Sequence, residues 1–383
     1  MAPSFDVAIV GLGAMGSAAA LHLARRGLRV VGLDRWHPPH PHGSTHGRTR
    51  IIREAYYEHP VYVPLVQRAY ALWEALEREA GRRLFIRTGG AMAGPADGVL
   101  VAGALRSARE HGLIHELVDA AELRRRFPAL APESTWVAVV EPRAGLLLPE
   151  ACVEAHLGLA REAGADLRFG TRVTSWDAGG NGVRLTTESG ALDAARLLLA
   201  AGPWLPALAA PLALPLAVER QTFHWMRPAA RPELCRADRC PIALWEYAPG
   251  RLFATFPDVG DGVKCGVHHE GELVPDPDAV RRRIDEAETA ATRALLRTVM
   301  PEADGTLLDR AVCLYTNTPD HDFLIDAHPD HPHVIIASPC SGHGFKFSSA
   351  IGELLADLLT DVEPRFDLAP FRLTRPTLAA APA

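Results

Sequence analysis

The chain has 383 residues, 48% of them hydrophobic and 22% charged, with a net charge of −6. That length allows two or three domains of roughly 150 residues each, and the composition excludes intrinsic disorder, a fibrous rod and a small disulfide scaffold. With neither a basic patch nor a basic tail to neutralise phosphates, no nucleic-acid partner is expected.

Residues 1–5 lack the basic and apolar regions of a secretory leader. A cytoplasmic protein with reduced thiols is therefore expected. Phe5-Asp6-Val7-Ala8-Ile9-Val10 reads as a buried strand, followed by Gly11-Leu12-Gly13-Ala14-Met15-Gly16 and an Ala-rich helix to Arg26. A second strand, Arg29 to Leu33, ends at Asp34. This is a GxGxxG fingerprint in its strand–turn–helix setting. Gly11 permits the tight turn, Gly13 lets a pyrophosphate approach the backbone, and Gly16 lets helix and strand pack closely. The helix N-terminus adds partial positive charge, and Asp34 accepts from a ribose hydroxyl. The motif predicts dinucleotide binding without separating FAD from NAD.

Trp36 to Arg53 is rich in His, Pro, Gly and Arg and reads as a loop. An amphipathic helix is expected from about Val61 to Ala80, with Leu65, Ala69, Leu72, Trp73 and Leu76 on one stripe. Strands follow around Gly89–Gly94 and Val137–Val140, and helices over Asp97–His111 and Pro149–Ala163. The run Arg124-Arg125-Arg126, next to Glu122, reads as a solvated helix face. Segments Arg168–Asp177 and Val183–Thr187 alternate as strands do.

Leu197 to Val218 carries no charge, but four prolines interrupt it, at 203, 206, 211 and 215. An interior proline costs a helix about 3 kcal/mol. A buried strand and then a loop are expected, not a membrane span. Thr222–Met226 and Leu252–Phe256 show the period of an antiparallel sheet. Ala279–Thr298 reads as a surface helix, with Arg281-Arg282-Arg283 on its solvated face. Val334–Ala337 is a strand, Ser341–Gly344 a turn, and Phe347 to Leu359 a continuous helical stripe.

The six cysteines show no CxxC or zinc-knuckle spacing, and the His-dense stretches 37–46 and 321–333 lack helical pairs, so no metal is expected. Nucleotide-binding elements at both ends with a β-rich region between them predict an α/β + β fold. It comprises a Rossmann-type domain with an inserted substrate domain built on an antiparallel sheet. The expected ranges are 1–85, 145–220 and 318–383 for the first, and 86–144 and 221–317 for the second.

Five blocks carry a family resemblance: GLGAMGSAAALHLARRG with Asp34, GSTHGRTRIIREAY (43–56), VKCGVHHE (263–270), CLYTNTPDHDFLID (313–326) and SGHGFKFSS (341–349). Along nearly its whole length the chain resembles the monomeric sarcosine oxidase and N-methyltryptophan oxidase family. That family lies within the glycine oxidase/D-amino-acid oxidase group of flavoproteins. The resemblance implies FAD, not NAD, with Gly11, Gly13, Met15, Gly16, Asp34, Arg35, Ser44, Thr49, Arg50, Val173, Gly202, Gly342, Gly344, Phe345 and Lys346 holding it. It implies a covalent bond from the Cys313 sulfur to the flavin.

It further implies that Lys264 lies over one flavin face and assists O2 reduction, where a fixed cation stabilises developing negative charge. His268 would face the substrate, while His46, Thr49 and Arg50 would line the other face. Arg50 would favour the reduced, anionic ring. Arg53 and Lys346 match the pair that holds a substrate carboxylate, a fork plus a point charge.

Two departures stand out. The family usually has Phe where this chain has Cys340, a second thiol near the flavin loop. It also has tyrosines before the Phe-Pro dipeptide, where this chain has Phe253-Ala254-Thr255-Phe256-Pro257. A wider, more apolar cavity follows, with Trp245 and Tyr247 as candidate wall residues.

The implied function is a monomeric FAD oxidase of sarcosine or a related N-methyl or secondary amino acid. With O2 it would give H2O2 and an imine that hydrolyses to amino acid and aldehyde. A cyclic imino acid such as pipecolate or proline, a bulkier N-substituted amino acid, and a dehydrogenase with another acceptor are the alternatives.

Overall fold

Phe5–Val10 is a strand because both of its faces find apolar cover. Val7 and Ile9 pack into a core shared with the helices, while Ala8 and Val10 join the core on the opposite side. The strand pairs in parallel with Val30–Leu33 on one side and with the end of Gly190–Leu199 on the other. Asp166–Arg168 and Val334–Ser338 extend this parallel core. The hairpin Val173–Gly179/Gly182–Thr187 and the strand Leu324–Ala327 add antiparallel edges. This is a computed structural model, and it describes residues 4–180 and 182–379. The leader expectation for residues 1–3 lies outside that range.

Helices Ala14–Arg25, Tyr62–Ala80, Pro149–Glu162 and Ser348–Leu358 share the first core with that sheet. Small residues set the spacing between them. A Cβ on Gly352 would fall 2.4 Å from the Cβ of Ala18, so helix Ser348–Leu358 lies directly against the first. Segments far apart in the chain meet there, which is how Gly342 and Gly344 reach the mouth of the nucleotide fold.

Among the described residues the second sheet has nine strands. It runs from Glu272–Leu273 through Ala217–Met226, Val263–His268, Arg251–Phe256, Ile242–Ala248 and Gly90–Gly94 to Val137–Glu141 and Glu116–Asp119. Leu307–Asn317 pairs with Ala217–Met226 at a branch. The pairings are antiparallel except one, since Ile242–Ala248 runs parallel to Gly90–Gly94. The sheet is therefore mixed where purely antiparallel pairing was expected.

Three further boundaries differ from the sequence reading. The loop after Trp36 gives way to a short strand, Arg50–Ile52, paired with Gly145–Leu147. The proline-rich stretch after Leu199 contains single turns at Gly202–Trp204, Leu205–Leu208 and Ala210–Leu212. The surface helix begins only at Glu286, where Asp285 and Glu288 form a reciprocal capping box. Arg281–Arg283 consequently lies outside any helix. The buried Arg220 takes the carbonyls of Arg281 and Arg283 at 2.7 and 2.9 Å, removing them from helical bonding.

Burial leaves several histidines neutral. It pushes His22, in the first helix, down to about 4, His156 to about 3, and His224, in the long strand, to about 4. An unfolded histidine titrates near 6.5, so below that pH the unfolded chain takes up protons that the native state refuses. Stability then falls with pH by about 1.4 kcal/mol per unit for each such group. We expect urea midpoints to drop between pH 6.5 and pH 4, and His156→Phe to flatten that slope by the share of one proton. Parallel curves for the two proteins would remove His156 as a sensor.

Candidate active site

The glycine turn is built by close backbone approach. Gly11 sits at φ +93°, and a Cβ there would lie 2.5 Å from the carbonyl oxygen of Ala200. A Cβ on Gly16 would lie 1.8 Å from the carbonyl oxygen of Gly11, so only glycine lets the helix start this near the strand. Asp34, at the end of the second strand, braces the turn by accepting from the backbone N–H groups of Leu12 at 2.8 Å and Trp36 at 2.9 Å. A carboxylate oxygen retains further acceptor capacity after one such bond. Arg35 pairs with Asp278 at 2.7 Å and stacks on Trp36.

One cavity of about 390 Å³ joins this turn to the rest of the site. It touches Gly11, Gly13, Met15, Asp34, Arg35, Val173 and Gly202, then Ser44, Arg50 and Cys313, and also Arg53, His268, Gly342, Gly344, Phe345 and Lys346. Gly16, His46, Thr49 and Lys264 stand behind this lining. Ser44 Oγ, His46 Nε2 and Thr49 Oγ1 are buried and have no hydrogen-bond partner among the described residues. Buried polar atoms are normally satisfied. Of the three, Ser44 lines the cavity, and its orphaned hydroxyl beside a glycine cradle and an acceptor carboxylate fits a dinucleotide whose polar groups complete it.

Arg50 organises the middle of the cavity. Its guanidinium donates to the carbonyls of Thr49 and Ser44, each at 2.9 Å, and approaches Cys313 Sγ at 3.5 Å. Burial pushes the thiol of Cys340 up to about 11. Lys264 is 2% exposed and donates to the carbonyls of Gly47 at 2.8 Å and Thr49 at 2.7 Å. Burial, and then Arg50, pull it well below the ordinary lysine value. The same two causes take His46 down to about 3.

The cationic pair of the sequence reading comes together, but with a partner that reading missed. Arg53 is sandwiched by the rings of Tyr56 and Tyr57 and donates to both oxygens of Glu58 at 2.9 and 2.7 Å. Burial opposes the charge on Glu58, yet Arg53 outweighs it and holds the carboxyl below its usual range. Lys346 donates to the carbonyl of His343 at 2.7 Å, and burial followed by Arg53 draws it down to about 7. His268, kept neutral by burial and then by His269, meets the Tyr315 hydroxyl at 3.2 Å. Glu141, at the end of its strand, accepts from the N–H groups of Glu54 at 2.7 Å and Ala55 at 2.8 Å, anchoring the chain next to Arg53.

The large sheet supplies the apolar wall. Leu244, Ala254 and Gly266 are register partners across three strands and all line the cavity, with Phe223 and Phe256 nearby. Trp245 and Tyr247 do not line it. Strand alternation turns both to the other face, where Trp245 Nε1 donates to Thr255 and the Tyr247 hydroxyl to Glu270. Glu58 and Tyr57 were within reach of sequence reasoning, since they follow Arg53 in one short segment. Glu141 carried no such signal, because its partners are backbone groups far away in the chain.

A family model described as FAD dependent oxidoreductase matches residues 6–358. The chain is 42% identical to monomeric sarcosine oxidase of Streptomyces avermitilis, over 100% of each sequence. It is 38% identical to N-methyl-L-tryptophan oxidase of Salmonella arizonae, over 97% of this chain and 99% of that one. Among solved structures, NikD, an unusual amino acid oxidase essential for nikkomycin biosynthesis, superposes with a TM-score of 0.84 at 26% identity, covering 96% of this chain and 97% of the other. Glycine oxidase from Geobacillus kaustophilus, at 22% identity, shares the fold with a TM-score of 0.80 over 97% and 98% of the two chains.

Gly342 offers a direct check on the geometry. It sits at φ +74°, and a Cβ there would lie 2.6 Å from the Tyr315 ring and 2.9 Å from the His268 ring. Gly342→Ala is expected to lower kcat/KM at least tenfold while leaving the far-ultraviolet circular dichroism unchanged. Full activity in that variant would show that the His268–Tyr315 pair need not keep this position.

Proposed function

Because the chain belongs to the FAD dependent oxidoreductase family, alongside monomeric sarcosine oxidase and N-methyl-L-tryptophan oxidase, we propose that it oxidises a secondary amino acid at its N-methyl carbon, with O2 as acceptor. The reading rests on one observation. A single cavity holds a dinucleotide cradle, a cysteine beside a guanidinium, and two buried cations suited to a carboxylate. Bound FAD supplies the chemistry, accepting a hydride equivalent from the carbon next to nitrogen.

The protein's part is binding, orientation and charge. Arg53 and Lys346 take the substrate carboxylate, which selects amino acids over simple amines. Burial and these same cations disfavour an ammonium in the cavity, so the nitrogen binds as the neutral, reactive amine. His268 and Tyr315 offer hydrogen bonds there without adding charge. The imine product leaves and hydrolyses in water to amino acid and aldehyde. Lys264 and Arg50 supply the positive field in which O2 becomes H2O2, and Cys313 is the point of covalent flavin attachment. No described helix is long and apolar enough to cross a membrane, and the six cysteines are free. We place the enzyme in the cytoplasm as a monomer.

A specific observation favours substrates larger than sarcosine. Ala254 stands between Leu244 and Gly266 on the wall, leaving an apolar niche where a tyrosine would project. A cyclic imino acid or an N-methyl amino acid with an apolar side chain fits that niche.

The test is a panel of sarcosine, larger N-methyl amino acids, pipecolate and proline, with peroxide detection. Peroxide from at least one of them, and none from matching amines without a carboxylate, is the expected result. Anaerobic bleaching of the flavin without peroxide in air would assign the electrons to another acceptor. Acid precipitation is expected to leave yellow colour in the pellet and to release it in Cys313→Ser. Ala254→Tyr is expected to lower kcat/KM for the larger substrates at least tenfold relative to sarcosine. An unchanged ratio would remove the niche from specificity.

A further inference from the structure

The turn that receives Lys264 is an unusual piece of backbone. Gly47 and Arg48 are consecutive residues with positive φ, +99° and +68°. For Arg48 that conformation is strained and persists only where neighbours enforce it. The Thr49 N–H closes back onto the Gly47 carbonyl at 2.7 Å. The outward carbonyls of Gly47 and Thr49 are then both taken by Lys264, and the Thr49 carbonyl is shared with Arg50. Two basic donors thus converge on one turn, and such a turn needs a restraint from its other side.

Glu150 provides one. It is the second residue of the helix Pro149–Glu162, where a carboxylate is favoured by the helix N-terminus. Its Oε1 accepts from the N–H of Gly47 at 2.7 Å and of Arg48 at 3.0 Å. One carboxylate oxygen therefore pins the strained Arg48 and its neighbour Gly47 from behind while two donor side chains hold the carbonyls in front. A side chain at position 47 would intrude on this arrangement, since a Cβ there would lie 3.3 Å from Arg50 Nη1 and 3.7 Å from Lys264 Nζ.

We propose that Glu150 is a positioning residue for the oxygen step: through the Gly47–Arg48 turn it sets the Lys264 amine and the Arg50 guanidinium at their working places. The proposal rests on the reading of Lys264 as the group that assists O2 reduction. Glu150 itself touches neither substrate nor oxygen. Its effect therefore falls on re-oxidation more than on reduction by substrate, which depends on Lys346 and His268 on separate segments and on Arg53, whose end of the segment Glu141 anchors independently.

The experiment measures both half-reactions by stopped flow on flavin-loaded enzyme: anaerobic reduction by the best substrate of the panel, then mixing of reduced enzyme with aerated buffer. Glu150→Ala and Glu150→Asp are expected to re-oxidise at least tenfold more slowly, with reduction changed less than twofold. The aspartate keeps the charge but draws the oxygen back by one methylene. Glu150→Gln keeps an acceptor oxygen in place and is expected to re-oxidise within threefold of the parent. If the alanine variant does not fold, the aspartate and glutamine variants carry the comparison. Parent-like re-oxidation in Glu150→Asp, or a glutamine variant as slow as the aspartate, would overturn the proposal. Lys264→Met is the control for the underlying reading. If it re-oxidises at the parent rate, that reading fails and the proposal with it. A slow Lys264→Met beside parent-like Glu150 variants sinks the proposal alone.

Discussion

Three basic side chains, Arg53, Lys264 and Lys346, are buried around one cavity with Arg50 half-buried beside them, and the rest of the site is arranged to keep them there. An isolated buried charge is too costly to survive, so each must find fixed acceptors. Arg53 finds Glu58, while Arg50, Lys264 and Lys346 are held largely by backbone carbonyls. Carbonyl partners leave the positive field uncompensated, which a set of salt bridges would not do. Histidines 46, 268 and 343 nearby are held neutral chiefly by their burial, and these basic groups add to that effect.

The fold exists in service of that arrangement. The segment from Ser44 to Glu58 carries Arg50 and Arg53 but contains little regular structure of its own, only the strand Arg50–Ile52. It is tied from outside, by Glu150 at one end and Glu141 at the other, each accepting a pair of backbone N–H groups. Lys264 and Cys313 come instead from the large sheet, on strands that both pair with Ala217–Met226. Lys346 comes from the turn before helix Ser348–Leu358, which Gly352 seats against Ala18. Four separate parts of the chain converge, and each is fixed by contacts at its own end of the molecule.

Much of this could be read in advance where the signal was local. The GxGxxG turn, the acid at Asp34 and the helical stripe after Phe347 are short-range patterns tied to backbone geometry, and the structure has them at those positions. Helix starts were less legible where a tertiary bond intervened. The capping box at Asp285 was written in the sequence, but the removal of the Arg281 and Arg283 carbonyls by Arg220 was not. Face assignment failed at Trp245 and Tyr247 because a strand alternates, and only the pairing register says which set faces the cavity. The carboxylate clamps were invisible for the same reason, since a glutamate bonded to distant backbone leaves no spacing to detect.

If Arg53 and Lys346 take the substrate carboxylate, as proposed above, the Arg53–Glu58 pair sets the terms on which they do so. An arginine already bonded to a buried carboxylate does not gain an ion pair when a second carboxylate arrives; it exchanges one. Removing a partner from a buried pair typically costs about 3–5 kcal/mol, so a ligand lacking a carboxylate, or placing it out of reach, has nothing to offer in return for displacing Glu58. Lys346 tips the exchange. With its ammonium drawn down to about 7, it is readily left neutral beside the resting pair and becomes worth charging when a second anion enters. Affinity in such a site is a difference between two similar bonds and is modest by construction. On that proposal, discrimination between anionic and neutral ligands would be large, because a neutral ligand that displaced Glu58 would lose the full value of one bond.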